Sequence, residues 1–133
     1  MDERKRRILL VDDEPSIVKI VRKQLELAGF EVAIATNGVE ALSQVQATNP
    51  ELIILDQMLP QLNGTEVCDK LKHDPQTSHI PIMMLSANAK REDQQAMLTK
   101  GADAYMSKPF ALEELLGQIR ALLDRPVKTS ENA

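Results

Sequence analysis

Four positions combine reactive side chains with a telling placement. An acidic pair, Asp12–Asp13, follows the apolar run "ILLV"; Asp56 follows "LIIL"; Ser86 follows "IPIMML"; Lys108 stands two residues beyond "DAYM". Singly, each has an ordinary reading. Asp12 or Asp13 caps a following helix, which Pro15 early in that helix supports. Asp56 opens a turn-rich segment, "QMLPQLNG", and Ser86 and Lys108 are routine surface groups. Together these readings fail. Three carboxylates converging on one place repel one another and raise each other's pKa unless a cation joins them. A hard divalent ion suits such a set, and Mg²⁺ typically takes one or two carboxylates and keeps waters for a substrate phosphate. Lys108 and the Ser86 hydroxyl then face phosphate oxygens rather than the metal. On this reading Asp56 ends its strand because it has a reaction to perform there.

The elements that carry these groups bring them together. Short apolar runs alternate five times with segments of helical period: "ILLV" (8–11) before a helix from about Ser16 to Ala28, "EVAIA" (31–35) before "GVEALSQVQA", "LIIL" (52–55) before a helix starting near Gly64, "IPIMML" (80–85) before 90–100, and "DAYM" (103–106) before "ALEELLGQIRALLD". Such alternation predicts βαβ units, an α/β fold with a five-stranded parallel sheet, helices on both faces and right-handed connections. Ligands of open parallel sheets bind outside the carboxyl ends of the strands, where the strand order reverses. Every strand end except the second offers a polar group there. In the last helix Leu112, Leu115, Leu116, Ile119, Leu122 and Leu123 form a core-packing stripe. The fourth has only Ala96, Met97 and Leu98 to bury and is expected to be the most loosely held.

Bulk composition narrows the classes. A chain of 133 residues makes one domain, and 43% apolar residues with 2% aromatics imply an aliphatic core. A net charge of −4 argues against a general nucleic-acid surface, and the basic run Arg4 to Arg7 reads as a solvated arm. "ILLV" is too short for a secretory signal or a membrane span. Cys68 is the single cysteine, sits on a stripe with Val67 and Leu71, and is expected in the core of a cytoplasmic protein. His73 and His79 read as surface residues, and Met83–Met84 as core strand.

The motifs "VDDE" (11–14), "LDQMLPQLNG" (55–64), "MLSA" (84–87) and "YMSKPF" (105–110) resemble those of the receiver domains of two-component response regulators, over roughly residues 6–124, flanked by a basic arm (1–5) and a disordered tail or cut linker (125–133). The resemblance implies a flavodoxin-like, doubly wound sheet of order 2-1-3-4-5 with five helices. It makes Asp56 the phosphoacceptor and Asp12, Asp13 and Asp56, with the backbone carbonyl of Met58, the ligands of Mg²⁺ or Mn²⁺. It makes Ser86 the hydroxyl that follows the phosphoryl group, Lys108 the site lysine, and Tyr105 the aromatic switch. It also implies a Lys108–Pro109 bond that is commonly cis. The phosphodonor is a histidine kinase or histidine phosphotransfer protein. The recipient of the signal is a downstream protein or a fused output domain, met through the fourth helix, fifth strand and last helix. No direct nucleic-acid or membrane contact is expected.

Finer expectations follow from single residues. The resemblance places Met58 and Asn88 beside the approach of the hydrolytic water, and because Met58 cannot orient a water and Asn88 cannot act as a base, a comparatively long-lived phosphoryl group is expected. In the first helix Ile17, Ile20, Val21 and Ala28 form the buried stripe, while Val18 and Leu25 lie along one margin, suited either to kinase docking, with Pro109, or to peripheral packing. The strand reads Asp103, Ala104, Tyr105, and Gln118 stands where winged-helix receivers usually have arginine, so a monomer or a weak phosphorylation-dependent dimer is expected. The rivals are a hydrolase forming an aspartyl-phosphate, which needs a second acid where Met58 stands, and a flavodoxin-like electron carrier, which needs aromatics this chain lacks.

Overall fold

The computed structural model describes residues 5–87 and 91–124. Its elements run β1 (Arg7–Val11), α1 (Pro15–Leu27), β2 (Glu31–Ala35), α2 (Gly38–Thr48), β3 (Leu52–Asp56), α3 (Gly64–His73), β4 (Ile82–Ser86), α4 (Arg91–Thr99), β5 (Ala104–Ser107) and α5 (Leu112–Leu123). The strands are parallel and ordered β2-β1-β3-β4-β5, so the order reverses between β1 and β3. That is the doubly wound order expected. β4 begins at Ile82 rather than Ile80 because Pro81 has no N–H to give; its carbonyl accepts from Ile53 N at 3.0 Å. β3 and β4 each run one residue further than their apolar runs, so Asp56 and Ser86 belong to the strands themselves.

Strand side chains alternate between two cores. Ile8, Leu10, Leu52, Ile54, Met83 and Leu85 pack under α1 and α5 with Val21, Leu25, Leu115, Ile119 and Leu122. Leu9, Val11, Ile53, Leu55, Ile82 and Met84 pack under the other helices with Val45, Val67, Cys68, Leu71 and Met97. Cys68 and Met83–Met84 are core and the two histidines are exposed, as the sequence indicates.

Three expectations need correcting. Leu25 is fully buried, so it is core rather than margin and cannot dock a partner, while Ile20, expected inside, is 53% exposed. In α4 Met97 is buried, but Ala96 is exposed and Leu98 half-exposed. Arg7 belongs to β1 and Arg6 pairs with Asp124 at 3.4 Å, so these two residues of the basic run are part of the folded domain rather than of an arm. Residues 1–4, Asn88 and the tail 125–133 lie outside the described residues.

Local chemistry sets the helix starts. Pro15 opens α1, whose N-cap, Glu14, makes no side-chain cap; Asp12 Oδ1 accepts the Glu14 N–H at 3.0 Å instead. Asn37 caps α2 by accepting from Glu40 N at 2.7 Å, and Glu40 accepts in return from Thr36 N at 2.6 Å, an interlocked start. Asn63 caps α3 through Glu66 N at 3.0 Å.

Candidate metal and phosphoryl site

The carboxyl ends of β1 and β3 deliver the acidic residues. One carboxylate oxygen from each of Asp12, Asp13 and Asp56 lies within 4.8 Å of the others. Asp12 is fully buried and Asp56 nearly so, whereas Asp13 faces solvent. Lys108, just past β5, reaches across the gap: its Nζ donates to Asp12 Oδ2 at 2.9 Å and to Asp56 Oδ2 at 3.3 Å. The Lys108–Pro109 bond is cis, as the resemblance implied.

The electrostatics follow from this placement. Burial, followed by the Asp12 charge, pushes the Asp56 carboxyl up to about 6, although Lys108 and the Met58 N–H pull the other way. Burial alone would lower the Lys108 ammonium, but its hydrogen bond to Asp12 and the charges of Asp56 and Asp12 prevail and raise it. Lys108 is therefore cationic at neutral pH, yet a single ammonium leaves three carboxylates undercompensated. Buried and exposed oxygens clustered at one solvent-facing edge fit a divalent cation.

The loop after Asp56 is held tightly. Asp56 Oδ1 accepts from Met58 N at 3.3 Å, and Gly64 N donates to Gln57 O at 2.9 Å. A Cβ at Gly64 would sit 2.0 Å from Asp56 O, and one at Gly38 would sit 1.8 Å from Leu62 O. Glycine at both positions lets α2 and α3 close onto the loop that presents the site.

The remaining expected residues are dispersed. The Lys108 N–H donates to Ser86 O at 2.8 Å, tying the two positions through the backbone. The Ser86 hydroxyl, however, donates to Gln57 Oε1 at 2.6 Å. Sequence reasoning did not single out Gln57, because only the β3–β4 register places it beside Ser86. Tyr105 is half-buried over the core beneath α2 and α3. Met58 is 69% exposed and Pro109 is exposed. Val18 lines a groove of about 570 Å³ that begins at Asp12 and Asp13 and runs along α1 past Lys19 and Arg22.

A family model described as the response regulator receiver domain matches residues 8–120. This chain belongs to that family. It is 42% identical over 119 residues to the DNA-binding dual master transcriptional regulator RpaA of Synechocystis, an alignment covering 90% of this chain and 49% of RpaA. The receiver thus spans about half the length of the curated relatives it matches. The crystal structure of the Vibrio cholerae chemotaxis response regulator CheY4 superposes with a TM-score of 0.84 at 33% identity, covering 90% of this chain and 99% of that one. The receiver domain of a Pseudomonas aeruginosa sensor histidine kinase superposes with a TM-score of 0.85 at 26% identity, covering 92% of this chain and 100% of its own. That structure holds a magnesium ion coordinated in its active-site cleft. The protein is accordingly a receiver of two-component signal transduction, a signalling switch. Among its described residues no helix is long and apolar enough to cross a membrane.

Proposed function

We propose that Asp56 accepts a phosphoryl group from the phosphohistidine of a histidine kinase or histidine phosphotransfer protein. The observation that carries this reading is the Lys108 ammonium held between Asp12 and Asp56, beside a third carboxylate. An Asp56 oxygen attacks phosphorus in line, the P–N bond breaks, and the imidazole leaves with the bonding pair. At neutral pH a carboxyl pushed up to about 6 is mostly ionised, as a nucleophile must be. Mg²⁺, or Mn²⁺, held by Asp12, Asp13, Asp56 and the Met58 carbonyl, neutralises phosphoryl oxygens and favours the ionised carboxylate. Lys108 slackens its hold on Asp56 and turns to a phosphoryl oxygen. Ser86 turns towards another, and Tyr105 moves into the space behind it.

The reader of this change is a downstream protein or a fused output domain that meets the α4, β5 and α5 face. The donor docks on the groove at the start of α1, against Val18, and on Pro109. Leu25 has no part in it. Contact with nucleic acid is assigned to other parts of any longer protein that contains this acidic domain. The domain modifies itself and releases phosphate slowly, without turning over a substrate. A hydrolase that forms an aspartyl-phosphate is disfavoured by Met58, which can neither give nor take a proton.

Acetyl phosphate with Mg²⁺, followed by intact-mass measurement, tests the proposal. A lasting gain of one phosphoryl group, abolished by Asp56→Asn, is expected. Continuous turnover of acetyl phosphate without a retained group would overturn it.

A further inference from the structure

The Ser86 hydroxyl is held by a side chain of the neighbouring strand's end. It donates to Gln57 Oε1 at 2.6 Å, a short and well-formed O–H···O bond. Ser86 is fully buried, so its hydroxyl cannot trade Gln57 for bulk water. The backbone of Gln57 in turn cannot follow a moving Ser86. Its N–H donates to Leu85 O at 2.8 Å and its carbonyl accepts from Gly64 N at 2.9 Å. Its Cα lies only 3.0 Å from where a Gly64 Cβ would be. The backbone of Gln57 is therefore clamped from both sides, between β4 and the start of α3, and only its side chain is free to turn.

We infer that Gln57 is a positioning residue that holds Ser86 in its resting orientation and so sets how readily the site engages a phosphoryl group. This rests on the reading of Asp56 as phosphoacceptor and Ser86 as the hydroxyl that turns to the phosphoryl oxygens. Under that reading each activation breaks the Ser86–Gln57 bond. The bond opposes activation by its net worth, roughly two- to tenfold in an equilibrium constant. Methionine at position 57 keeps the length and flexibility of glutamine but cannot accept this bond with comparable strength.

The test uses beryllofluoride, a tetrahedral mimic of the phosphoryl group, with Mg²⁺. Its half-saturating concentration is read from backbone amide NMR shifts in four proteins: wild type, Gln57→Met, Ser86→Ala and the double variant. Gln57→Met is expected to lower the half-saturating concentration about two- to tenfold when Ser86 is present, and to leave it unchanged in the Ser86→Ala background. In the wild type, the Gln57 side-chain amide resonances are expected to shift on saturation as the carboxamide loses its serine partner, a readout that needs no variant. An equal effect in both backgrounds, no effect in either, or unmoved carboxamide resonances would overturn the inference while leaving the receiver reading intact. Wild type that responds to beryllofluoride no more than Asp56→Asn would overturn both.

Discussion

Replacing Asp56 with asparagine is expected to abolish phosphorylation and to stabilise the metal-free fold at neutral pH. Burial and the Asp12 charge push the Asp56 carboxyl from 3.8 to about 6. A group whose folded pKa exceeds its unfolded one stabilises the fold fully only below the unfolded value, and that stability is lost as pH rises through the folded value. Above about pH 6.5 the ionised Asp56 therefore costs stability. Two pKa units correspond to about 3 kcal/mol at most, at about 1.4 kcal/mol per unit. Part of this is not recovered on substitution, because Lys108 loses its 3.3 Å partner, though it keeps Asp12 at 2.9 Å. Asparagine can still accept the Met58 N–H. A net gain of about 1–2 kcal/mol is expected at pH 7.5 after that loss and after screening by water at the Asp13 side.

Urea unfolding followed by far-UV circular dichroism, in chelator, supplies the measurement. The difference between variant and wild type is expected to be largest above pH 6.5, to shrink as pH falls through about 6 towards 3.8, and to approach zero only below about pH 3, where Asp56 is protonated in both states. Mg²⁺ narrows the difference. At ten times its dissociation constant it adds about 1.4 kcal/mol to wild type, and less to the variant, which lacks one ligand charge. A variant less stable than wild type at pH 7.5, or a difference insensitive to pH, would refute the electrostatic argument.

Three other outcomes are expected. Val18→Asp, in the groove beside Asp12 and Asp13, weakens phosphotransfer from the cognate kinase about tenfold or more while sparing acetyl phosphate labelling; equal loss of both assigns Val18 to packing. Met58→Asn accelerates dephosphorylation several-fold in the presence of Mg²⁺, because a flexible apolar side chain that can fold over the phosphoryl group gives way to one that can hold a water; an unchanged decay of intact mass rejects the shielding. The beryllofluoride-loaded chain sediments as a monomer or weak dimer, because Asp103 is committed at 2.8 Å to Lys72 within its own chain and Gln118 is neutral; a tight dimer through α4 and α5 counts against this.

The sheet was legible because a buried parallel strand has a simple signature: unbroken apolar residues that stop at a polar one. The same signature exposed the site, since Asp56 and Ser86 are where those runs stop. The face of α1 was less legible. On a helical wheel the buried Val21 and Leu25 and the half-buried Ile17 and Ala28 centre on a direction ~45° from Leu25, whereas Ile20 lies roughly 95° away on the other side. Counting apolar residues treats Ile20 and Leu25 as equals. The packed α5 decides between them, and nothing within α1 reports where α5 lies. The Ser86–Gln57 bond was illegible for a similar reason: it depends on the register that sets Asp56 against Leu85, and on the direction of a long side chain.

The two faces of the sheet are unequally suited to carry a signal. α1 and α5 share a core in which Leu25, Leu115 and Ile119 are at most 1% exposed, so displacing either helix opens a cavity at a cost of several kcal/mol. On the other face Met97 is the buried apolar side chain among those described in α4, with Leu98 half-exposed. The site is wired towards that side. Ser86 pairs with Ser107 across β4 and β5, Lys108 N donates to Ser86 O, and Tyr105 lies two residues before Ser107 over the same core as Met97. On the proposed reading, a turn of the Ser86 hydroxyl and a shift of the Lys108 ammonium would act first on β5, and through β5 on α4. A rearrangement at α4 sacrifices one buried methionine contact, an amount that a phosphoryl group meeting a cation, an ammonium and a hydroxyl can offset. The loosely packed helix is thus the element through which phosphorylation at Asp56 can alter a surface, while the α1–α5 side stays rigid enough to keep presenting the acidic cluster to its donor.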